Sequence, residues 1–403
     1  MATTLIPRTR LTRSGVGALV LALVALASAR VFAVLELYIA GAALLVIPAI
    51  GWSVVAWRGL PLTVERWVHP PIVTVGDVGR VDLTIRNPRR RRSARTELIE
   101  PVGPHETARL TIGPLHGGDE VEATYRVPAA RRGVLTVGPL RLQRSDLLGV
   151  ATIRRVAANS TELAVAPRAN ELTMPDLGRG VLGRHLLVQA QRLGTGEFHS
   201  LREYVTGDEP RLIDWRASAR TDGLKVRQNT TEGVRRCIVV LDRDERAYAG
   251  PDGEAGFERA VEAAASIVHS ADRAGLTTRF VTGPSVDLRG PEVAAATLRH
   301  LARVVPGEPL DEIERDPGEG LGLVVVVTTT ASSAAWRSTD SLLDPTLVRL
   351  GVGVGGPDGT VSNGRLWIDA TESTLFVRGW EALTGRPDTH GTADRIAASV
   401  VPA

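Results

Sequence analysis

Residues 194–220 read Gly-Thr-Gly-Glu-Phe-His-Ser-Leu-Arg-Glu-Tyr-Val-Thr-Gly-Asp-Glu-Pro-Arg-Leu-Ile-Asp-Trp-Arg-Ala-Ser-Ala-Arg, and no other stretch so concentrates charged, aromatic and turn residues. Aromatic residues make up 4% of the chain, yet three of them lie here among balanced charges. Aromatic rings favour burial, whereas every buried charge needs a partner. We therefore predict a framework of ion pairs and hydrogen bonds at a junction between structural elements.

On the C-terminal side of this run, apolar stretches alternate with amphipathic ones. Residues 236–242 form a continuous apolar run that ends in an aspartate, which is typical of a buried parallel strand. Further strands are predicted at 276–281, 322–327, 348–354 and 365–368, and helices at 255–274, 291–304 and 392–400. This alternation predicts a doubly wound α/β sheet whose functional loops follow the strand ends.

On the N-terminal side, residues 61–165 predict an all-β domain. Apolar and polar residues alternate at 62–68 and 79–85, and Gly, Pro and Asn recur at short intervals between such runs. Short strands at this spacing favour an antiparallel β-sandwich of immunoglobulin-like type. Residues 166–193, with Pro167, Pro175 and several glycines, are predicted to be an irregular linker.

The first 60 residues predict a transmembrane hairpin. Residues 15–57 are almost wholly apolar, which suits two helices at 15–29 and 35–57, since about 20 residues cross a bilayer. Arginines flank both outer ends and only Arg30 lies in the connection, so the positive-inside rule places both ends and the soluble domains in the cytoplasm. A cleavable signal peptide is an alternative for the first helix, and it would leave the rest of this topology unchanged.

The run at 194–220, with Arg131–Leu140 and Asp146–Gly149, resembles the bacterial family called domain of unknown function 58. The resemblance implies an α+β multidomain protein with two N-terminal membrane helices, a β-rich segment, and a C-terminal α/β domain like that of von Willebrand factor A over 194–403. It also implies association with MoxR-type AAA+ ATPases in complex assembly or chaperone-like activity. No reaction is implied.

The candidate site residues are the polar and aromatic positions of this run, to which we assign either a structural or a partner-docking role. They are Glu197, Arg202, Tyr204, Gly207, Asp208, Arg211, Asp214, Trp215, Arg216 and Arg220. As a structural brace, Arg211 and Arg216 would each engage a carboxylate, and Trp215 and Tyr204 would bury their rings.

A second candidate site is a degenerate metal motif at Asp242 and Asp244. Von Willebrand A domains that bind Mg²⁺ carry Asp-x-Ser-x-Ser after the first strand, but here Asp244 and Arg246 replace the two serines. We therefore expect no metal and no cofactor, with Asp242 and Asp244 paired to arginines or solvated. The alternative is a metal-dependent protein-binding module of this kind acting in cell-envelope biogenesis.

Several functional classes are disfavoured. The single Cys237 excludes an intramolecular disulfide and a cysteine-based zinc site. The chain has no Gly-x-Ser-x-Gly motif, and carboxylates interleave with the arginines of the run, which disfavours a hydrolase and a nucleic-acid surface. The sequence thus predicts a membrane-anchored scaffold or adaptor, not an enzyme, with lipid and an ATPase as partners.

Overall fold

The structure is a computed structural model that describes residues 8–193, 196–206, 213–221, 223–231, 234–310, 312–314, 321–342, 346–355 and 366–385. The chain is of mixed α and β type, with two N-terminal apolar helices and several sheets. It divides into two compact units, residues 1–166 and 167–403.

The first unit begins with a helical hairpin. Helices α1 (Arg13–Phe32) and α2 (Leu35–Arg58) are each long and apolar enough to cross a membrane. The Thr12 hydroxyl caps α1 by accepting a hydrogen bond from the Gly15 N–H, and Ala33 makes the reversal with a φ of 50°. The two predicted helices are therefore present, and each extends beyond its predicted end.

The strands of the first unit form two sheets. These strands are β1 (Arg8–Leu11), β2 (Thr63–His69), β3 (Ile72–Thr74), β4 (Val78–Arg86), β5 (Thr96–Val102), β6 (Glu106–Ile112), β7 (Glu120–Pro128), β8 (Gly133–Val137), β9 (Leu140–Ser145), β10 (Ala151–Ala158) and β11 (Thr161–Ala166). The larger sheet has the order β1-β10-β9-β5-β8-β11-β3, with β6 on β5, and the smaller has the order β2-β4-β7. All pairs are antiparallel except β3 with β11.

The two sheets share one apolar core. Leu83 and Val127 of the small sheet lie in the same buried cluster as Leu98, Leu142 and Leu163 of the large sheet. The alternation of buried and exposed residues along β4 follows the period of two that the sequence predicts.

The segment before the first helix contains a strand that the sequence did not predict. Residues 8–11 form β1, which pairs with β10 in the register Arg8 to Arg154 and Leu11 to Ala151. The physical reason is that four residues are too few to give a strand signal, so the pairing depends on a partner about 140 positions away.

A second correction concerns residues 166–193, which are not an irregular linker. Helix α3 (Gly180–Leu193) lies within them, and its Leu182, Leu186 and Ala190 are buried in the core of the second unit. These three residues recur every four positions, which places them on one helix face. Glycines and prolines flank this apolar pattern in the sequence, and for that reason the helix was not predicted.

The α/β part of the second unit contains β14 (Arg236–Leu241), α5 (Gly253–Arg273), β15 (Thr277–Thr282), β16 (Val286–Arg289), α6 (Val293–Leu301), β17 (Gly322–Thr328), α7 (Ala334–Ser338), β18 (Leu347–Gly353), β19 (Trp367–Asp369) and α8 (Ser373–Thr384). Strands β14 to β19 form a six-stranded sheet of the order β16-β15-β14-β17-β18-β19. The strands are parallel except for β16. The five predicted strands and the first two predicted helices are present, whereas the predicted helix at 392–400 lies outside the described residues.

Before this sheet lies a separate two-stranded ribbon. Strands β12 (Gly196–Glu203) and β13 (Lys225–Thr231) pair antiparallel, and the one-turn helix α4 (Trp215–Ser218) lies between them in sequence. The 194–220 run includes β12 and α4 of this element. The ribbon is therefore an element in its own right and not a direct extension of the first parallel strand.

Candidate functional site

The carboxyl ends of the two central strands are joined through Asp242. This residue follows β14 and is fully buried. Thr328, the last residue of β17, donates its hydroxyl to Asp242 Oδ2 over 2.7 Å, and the Asp244 N–H donates to Asp242 Oδ1 over 3.0 Å. The Tyr248 hydroxyl donates to the Asp242 carbonyl oxygen over 3.0 Å. The chain order reverses between β14 and β17, which is where doubly wound sheets usually place ligands.

Burial raises the pKa of the Asp242 carboxyl above its ordinary value, against the opposing effect of hydrogen bonds from Thr328, the Asp244 backbone and Ser333. The neighbouring Asp244 charge adds to the increase. A carboxyl held in this way is a structural acceptor that fixes the loops after both strands. The expectation that Asp242 would be solvated or paired with an arginine is wrong, because hydroxyl and backbone donors surround it.

Asp244 does pair with an arginine, as predicted. Arg246 Nε donates to Asp244 Oδ1 over 3.1 Å, and Arg246 Nη2 donates to Asp244 Oδ2 over 3.0 Å. This bidentate pair with Arg246 holds the pKa of the Asp244 carboxyl below its ordinary value. Asp244 also caps the short 3₁₀ helix at Glu245–Tyr248.

These contacts do not fit a magnesium site. An octahedral cation needs several free hard oxygen ligands, but Arg246 occupies both oxygens of Asp244 and hydrogen-bond donors occupy those of Asp242. Within the described part of the chain, no three His, Cys, Asp or Glu side chains cluster closely enough to hold a metal ion. The degenerate motif therefore serves in the loop structure.

A crevice of about 570 Å³ lies beside this centre, at the same edge of the sheet. Tyr248, Gly253, Arg259, Val354 and Thr371 are among its lining residues. Arg259 Nη2 donates to the Val354 carbonyl oxygen over 3.4 Å, which orients the guanidinium towards the end of β18. The crevice provides space at the strand ends without exposing the Asp242 carboxylate.

The contacts made by residues of the 194–220 run differ from those of the predicted structural brace. Asp214 caps α4, with its Oδ1 accepting from the Arg216 and Ala217 N–H groups over 3.1 and 2.9 Å. The Asp214 N–H donates to the Lys225 carbonyl oxygen over 2.8 Å, and Ile213 forms a bridge with Val226. Asp214 and Ile213 thus hold the α4 segment against β13.

Large apolar side chains on this element are exposed. Trp215 is 66% exposed and Val205 is 62% exposed, and Leu201 and Leu224 are also exposed. Tyr204 is half-buried, and its N–H donates to the Leu224 carbonyl oxygen over 2.9 Å. The prediction that Trp215 buries its ring is wrong, because α4 is a single turn with no buried residue.

The remaining residues of the motif fall into three groups. Arg216 and Arg220 are exposed, and Arg202 is half-buried, with its Nη1 donating to the Glu203 carbonyl oxygen over 3.0 Å. Glu197 lies in β12 and pairs with Thr230 in the ribbon register. Gly207, Asp208 and Arg211 lie outside the described residues.

We call the exposed set on this element the ribbon surface, defined as Leu201, Val205, Trp215, Arg216, Arg220 and Leu224. Sequence reasoning missed Val205 and Leu224 because isolated apolar residues in a polar context carry no periodic signal. It also missed the contributions of Tyr248 and Ser333 to the Asp242 centre. Their contacts depend on which strands become neighbours.

Residues 200–312 match the family described as Protein of unknown function DUF58. This segment contains the residues of the ribbon surface together with Asp242, Asp244 and Tyr248, whereas Thr328 and Ser333 lie beyond it. None of the curated proteins matches the chain.

Several solved structures are similar to parts of the chain at low identity. The CARDB domain of the PF1109 protein from Pyrococcus furiosus is 14% identical, with 26% of this chain and 91% of that chain covered and a TM-score of 0.20. The alkylpurine DNA glycosylase AlkC of Pseudomonas fluorescens is 10% identical, with 32% and 38% covered and a TM-score of 0.19. A beta-glucosidase from Listeria innocua is 12% identical, with 26% and 16% covered and a TM-score of 0.18.

Proposed function

We propose that this protein is a membrane-anchored scaffold or adaptor whose ribbon surface docks a protein partner. The observation that carries the proposal is the exposure of Leu201, Val205, Trp215 and Leu224 on one small element. Large apolar side chains exposed on a small element are a common feature of protein interaction sites. Tryptophan and arginine are also the residues that most often dominate the binding energy of such interfaces.

The same observation favours docking over the structural brace. A brace would bury the Trp215 ring and engage the Arg216 guanidinium with a carboxylate, yet both side chains are exposed. Asp214 keeps a structural role as the cap of α4. In this proposal Asp214 stabilises the ribbon, whereas the exposed Trp215 and Arg216 contact the partner.

The partner we propose is a MoxR-type AAA+ ATPase, on the basis of the family resemblance. Arg216 and Arg220 are exposed on the same element as the apolar side chains of the ribbon surface. An apolar pocket bordered by carboxylates would complement this pattern in shape and charge. The role is binding rather than catalysis, in complex assembly or chaperone-like activity.

The proposal also includes the fold of each unit and the topology of the membrane anchor. The parallel strands with Asp242 at the end of the first of them support a von Willebrand factor A-like assignment for the second unit. The two facing sheets of the first unit support an immunoglobulin-like assignment. The two apolar helices and the flanking arginines support a two-span anchor in the cell membrane with cytoplasmic domains.

The metal-dependent alternative has less support, because Arg246 neutralises Asp244. Affinity purification of the full chain from detergent-solubilised membranes, with mass spectrometry of the accompanying proteins, tests the choice. Recovery of a MoxR-type ATPase in amounts comparable to the chain is the expected result. Recovery of peptidoglycan enzymes without the ATPase would contradict the proposal and favour a role in the cell envelope.

A further inference from the structure

The β-domain of the first unit packs directly on the helical hairpin. The Thr12 N–H donates to the Val150 carbonyl oxygen over 2.9 Å, just before α1 begins. A Cβ atom added to Gly15 of α1 would lie 2.1 Å from the Val150 carbonyl oxygen, and one added to Gly51 of α2 would lie 2.7 Å from Val150 Cγ2. Both helices therefore meet the 146–150 turn at the level of these glycines.

That turn exposes two adjacent leucines. Leu147 is fully exposed and Leu148 is 67% exposed. The turn is well ordered by Asp146, whose Oδ1 accepts from the Ala151 N–H over 2.7 Å and whose Oδ2 accepts from the Leu148 N–H over 3.0 Å. Two leucines held outward beside apolar helices are typical of a segment that enters the edge of a bilayer.

A basic cavity lies at the C-terminal end of α2. It has a volume of about 740 Å³, and its lining includes Trp57, which is 80% exposed, with Arg89, Arg91, Arg92 and Arg144. None of the described residues that line it is acidic. Its charge therefore complements an anion.

The loop that carries these arginines is fixed by buried polar groups. The fully buried Asn87 donates from Nδ2 to the carbonyl oxygens of Arg91, Leu115 and His116 over 2.9, 3.1 and 3.2 Å. The Leu115 N–H donates to Ser93 Oγ over 2.9 Å, and the Ser93 N–H donates back to the Leu115 carbonyl oxygen over 2.8 Å. The cations are thus presented by a preorganised loop, which lowers the entropic cost of binding a ligand.

The cavity is also tied to the end of the helix. Arg144 is buried, and it donates from Nη1 to the Gly59 carbonyl oxygen over 3.0 Å and from Nη2 to the Val54 carbonyl oxygen over 3.2 Å. These are carbonyl groups at the C-terminal end of α2, where a cation is stabilised by the helix dipole. Arg144 is therefore a structural residue that joins the helix to the wall of the cavity.

The spacing of these features along α2 matches the depth profile of a bilayer surface. Gly51 lies six residues before Trp57, which is about 9 Å along the helix at about 1.5 Å per residue. The polar region on each side of the hydrocarbon core is about 5–8 Å thick. Leucines at the level of Gly51 would reach the acyl boundary while the arginines near Trp57 lie among the headgroups.

We propose that Trp57, Arg89, Arg91, Arg92, Leu147 and Leu148 form a membrane-proximal rim that binds anionic phospholipid. Leu147 and Leu148 enter the acyl boundary, and the arginines bind the phosphate groups of lipids such as phosphatidylglycerol. Trp57 occupies the interface, which is a preferred position for its amphipathic ring. The proposal rests on the membrane anchoring proposed above, and it is separate from docking at the ribbon surface.

The headgroup part is tested by native mass spectrometry of the full chain in detergent micelles with added 1-palmitoyl-2-oleoyl-phosphatidylglycerol. We expect the double variant Arg91→Gln, Arg92→Gln to bind the first lipid about 30-fold more weakly than the wild type. Each arginine contributes about 1 kcal/mol, which corresponds to roughly fivefold in affinity. The matched control is Arg109→Gln with Arg126→Gln, which removes the same charge from another cavity of the domain.

Equal weakening in both double variants, or in neither, would overturn the headgroup assignment. Phosphatidylcholine is expected to bind weakly to all three proteins. Competition of inorganic phosphate with the lipid at equal concentration would also overturn it, because the cavity would then bind free anions rather than a lipid.

The leucine part is tested with a fluorophore that reports polarity, attached at Leu148→Cys in vesicles of phosphatidylcholine and phosphatidylglycerol. The native Cys237 does not compete for the label, because it is buried and burial raises the pKa of its thiol to about 12. We expect blue-shifted emission that lipid-borne nitroxides quench. The same label at Thr107→Cys, an exposed position on β6, is expected to report water.

Identical emission from both labelled positions would overturn the insertion of the turn. Flotation of the vesicles separates this result from a failure of anchoring. A chain that does not float with the vesicles contradicts the anchor itself, whereas a chain that floats with water-like emission at Leu148→Cys contradicts only the rim.

Discussion

Thr328 Oγ1 donates a hydrogen bond to Asp242 Oδ2 over 2.7 Å, and this bond joins the ends of two neighbouring parallel strands, β17 and β14. The bond lies at the position where a doubly wound sheet usually opens to a ligand. Here the acceptor is fully buried, and its second oxygen accepts from the Asp244 N–H. The strand ends are therefore held together by an internal polar centre, and the proposed docking surface lies on a different element.

Replacing Asp242 by Ala should destabilise the second unit by about 1–3 kcal/mol, because the Thr328 hydroxyl and the Asp244 N–H would lose a buried acceptor. Asp242→Asn should cost less, because the amide oxygen can still accept and the Thr328 hydroxyl can rotate to accept from the amide nitrogen. Thermal unfolding of both variants checks this order. Equal melting temperatures for Asp242→Ala and the wild type would contradict the role of this centre.

The pH dependence of stability should change in Asp242→Asn. Because burial raises the folded-state pKa of Asp242 above its ordinary value, the folded chain binds this proton more tightly than the unfolded chain does. The destabilising effect of the charged carboxylate is thus full above the folded-state pKa, and it diminishes as the pH falls through that pKa towards the ordinary value of 3.8. Melting curves from neutral to mildly acid pH should show this gain in the wild type and not in Asp242→Asn; parallel curves would contradict the assignment.

Magnesium should not bind at the Asp242 centre with micromolar affinity. The reason is that Arg246 engages both oxygens of Asp244, which leaves no second free carboxylate beside Asp242 among the residues that the structure describes. Isothermal titration of the chelator-treated chain with Mg²⁺ or Mn²⁺ measures this, with Asp242→Ala as the control. Micromolar binding that Asp242→Ala abolishes would support the metal-dependent alternative instead.

Separating the buried ion pair of the β-domain should be costly. Arg66 and Glu100 are both buried and paired, and the Tyr125 hydroxyl donates to Glu100 Oε2 over 2.7 Å. Glu100→Leu alone leaves the buried guanidinium without its carboxylate, which should cost about 3–5 kcal/mol. Arg66→Met combined with Glu100→Leu should recover much of that loss. Melting temperatures of the two single variants and the double variant test this, and additive losses would show that the two side chains do not act as a pair.

The second unit could be predicted well from the sequence because its strands are continuous apolar runs. Every residue of β14 is buried. A continuous apolar run of this kind indicates a buried parallel strand even when the neighbouring strands are unknown. Strand β1 and helix α3 could not be predicted in the same way. Strand β1 depends on its pairing with the distant β10. In α3 the apolar residues recur over a short stretch that glycines and prolines flank, so the helical period is hard to recognise.

The candidate site was predicted only in part. The Asp244–Arg246 pair could be anticipated, because two residues in one short loop are close whatever the fold is. The burial of Asp242 could not, because it depends on Thr328 from a strand 86 positions away. The exposure of Trp215 was missed because an aromatic ring favours burial in general, whereas α4 is too short to offer it a buried face.

Docking of a partner at the ribbon surface is tested most directly at the exposed Trp215. Full-length chain carrying Trp215→Ser is compared with the wild type in thermal unfolding and in co-purification of the MoxR-type ATPase from solubilised membranes. Trp67→Ser is the matched control, because Trp67 is 58% exposed on β2 of the other unit. We expect an unchanged melting temperature and at least a tenfold loss of the ATPase for Trp215→Ser, since a tryptophan hot spot contributes about 2 kcal/mol or more. A lower melting temperature with undiminished co-purification would contradict docking at the ribbon surface and favour the structural brace instead.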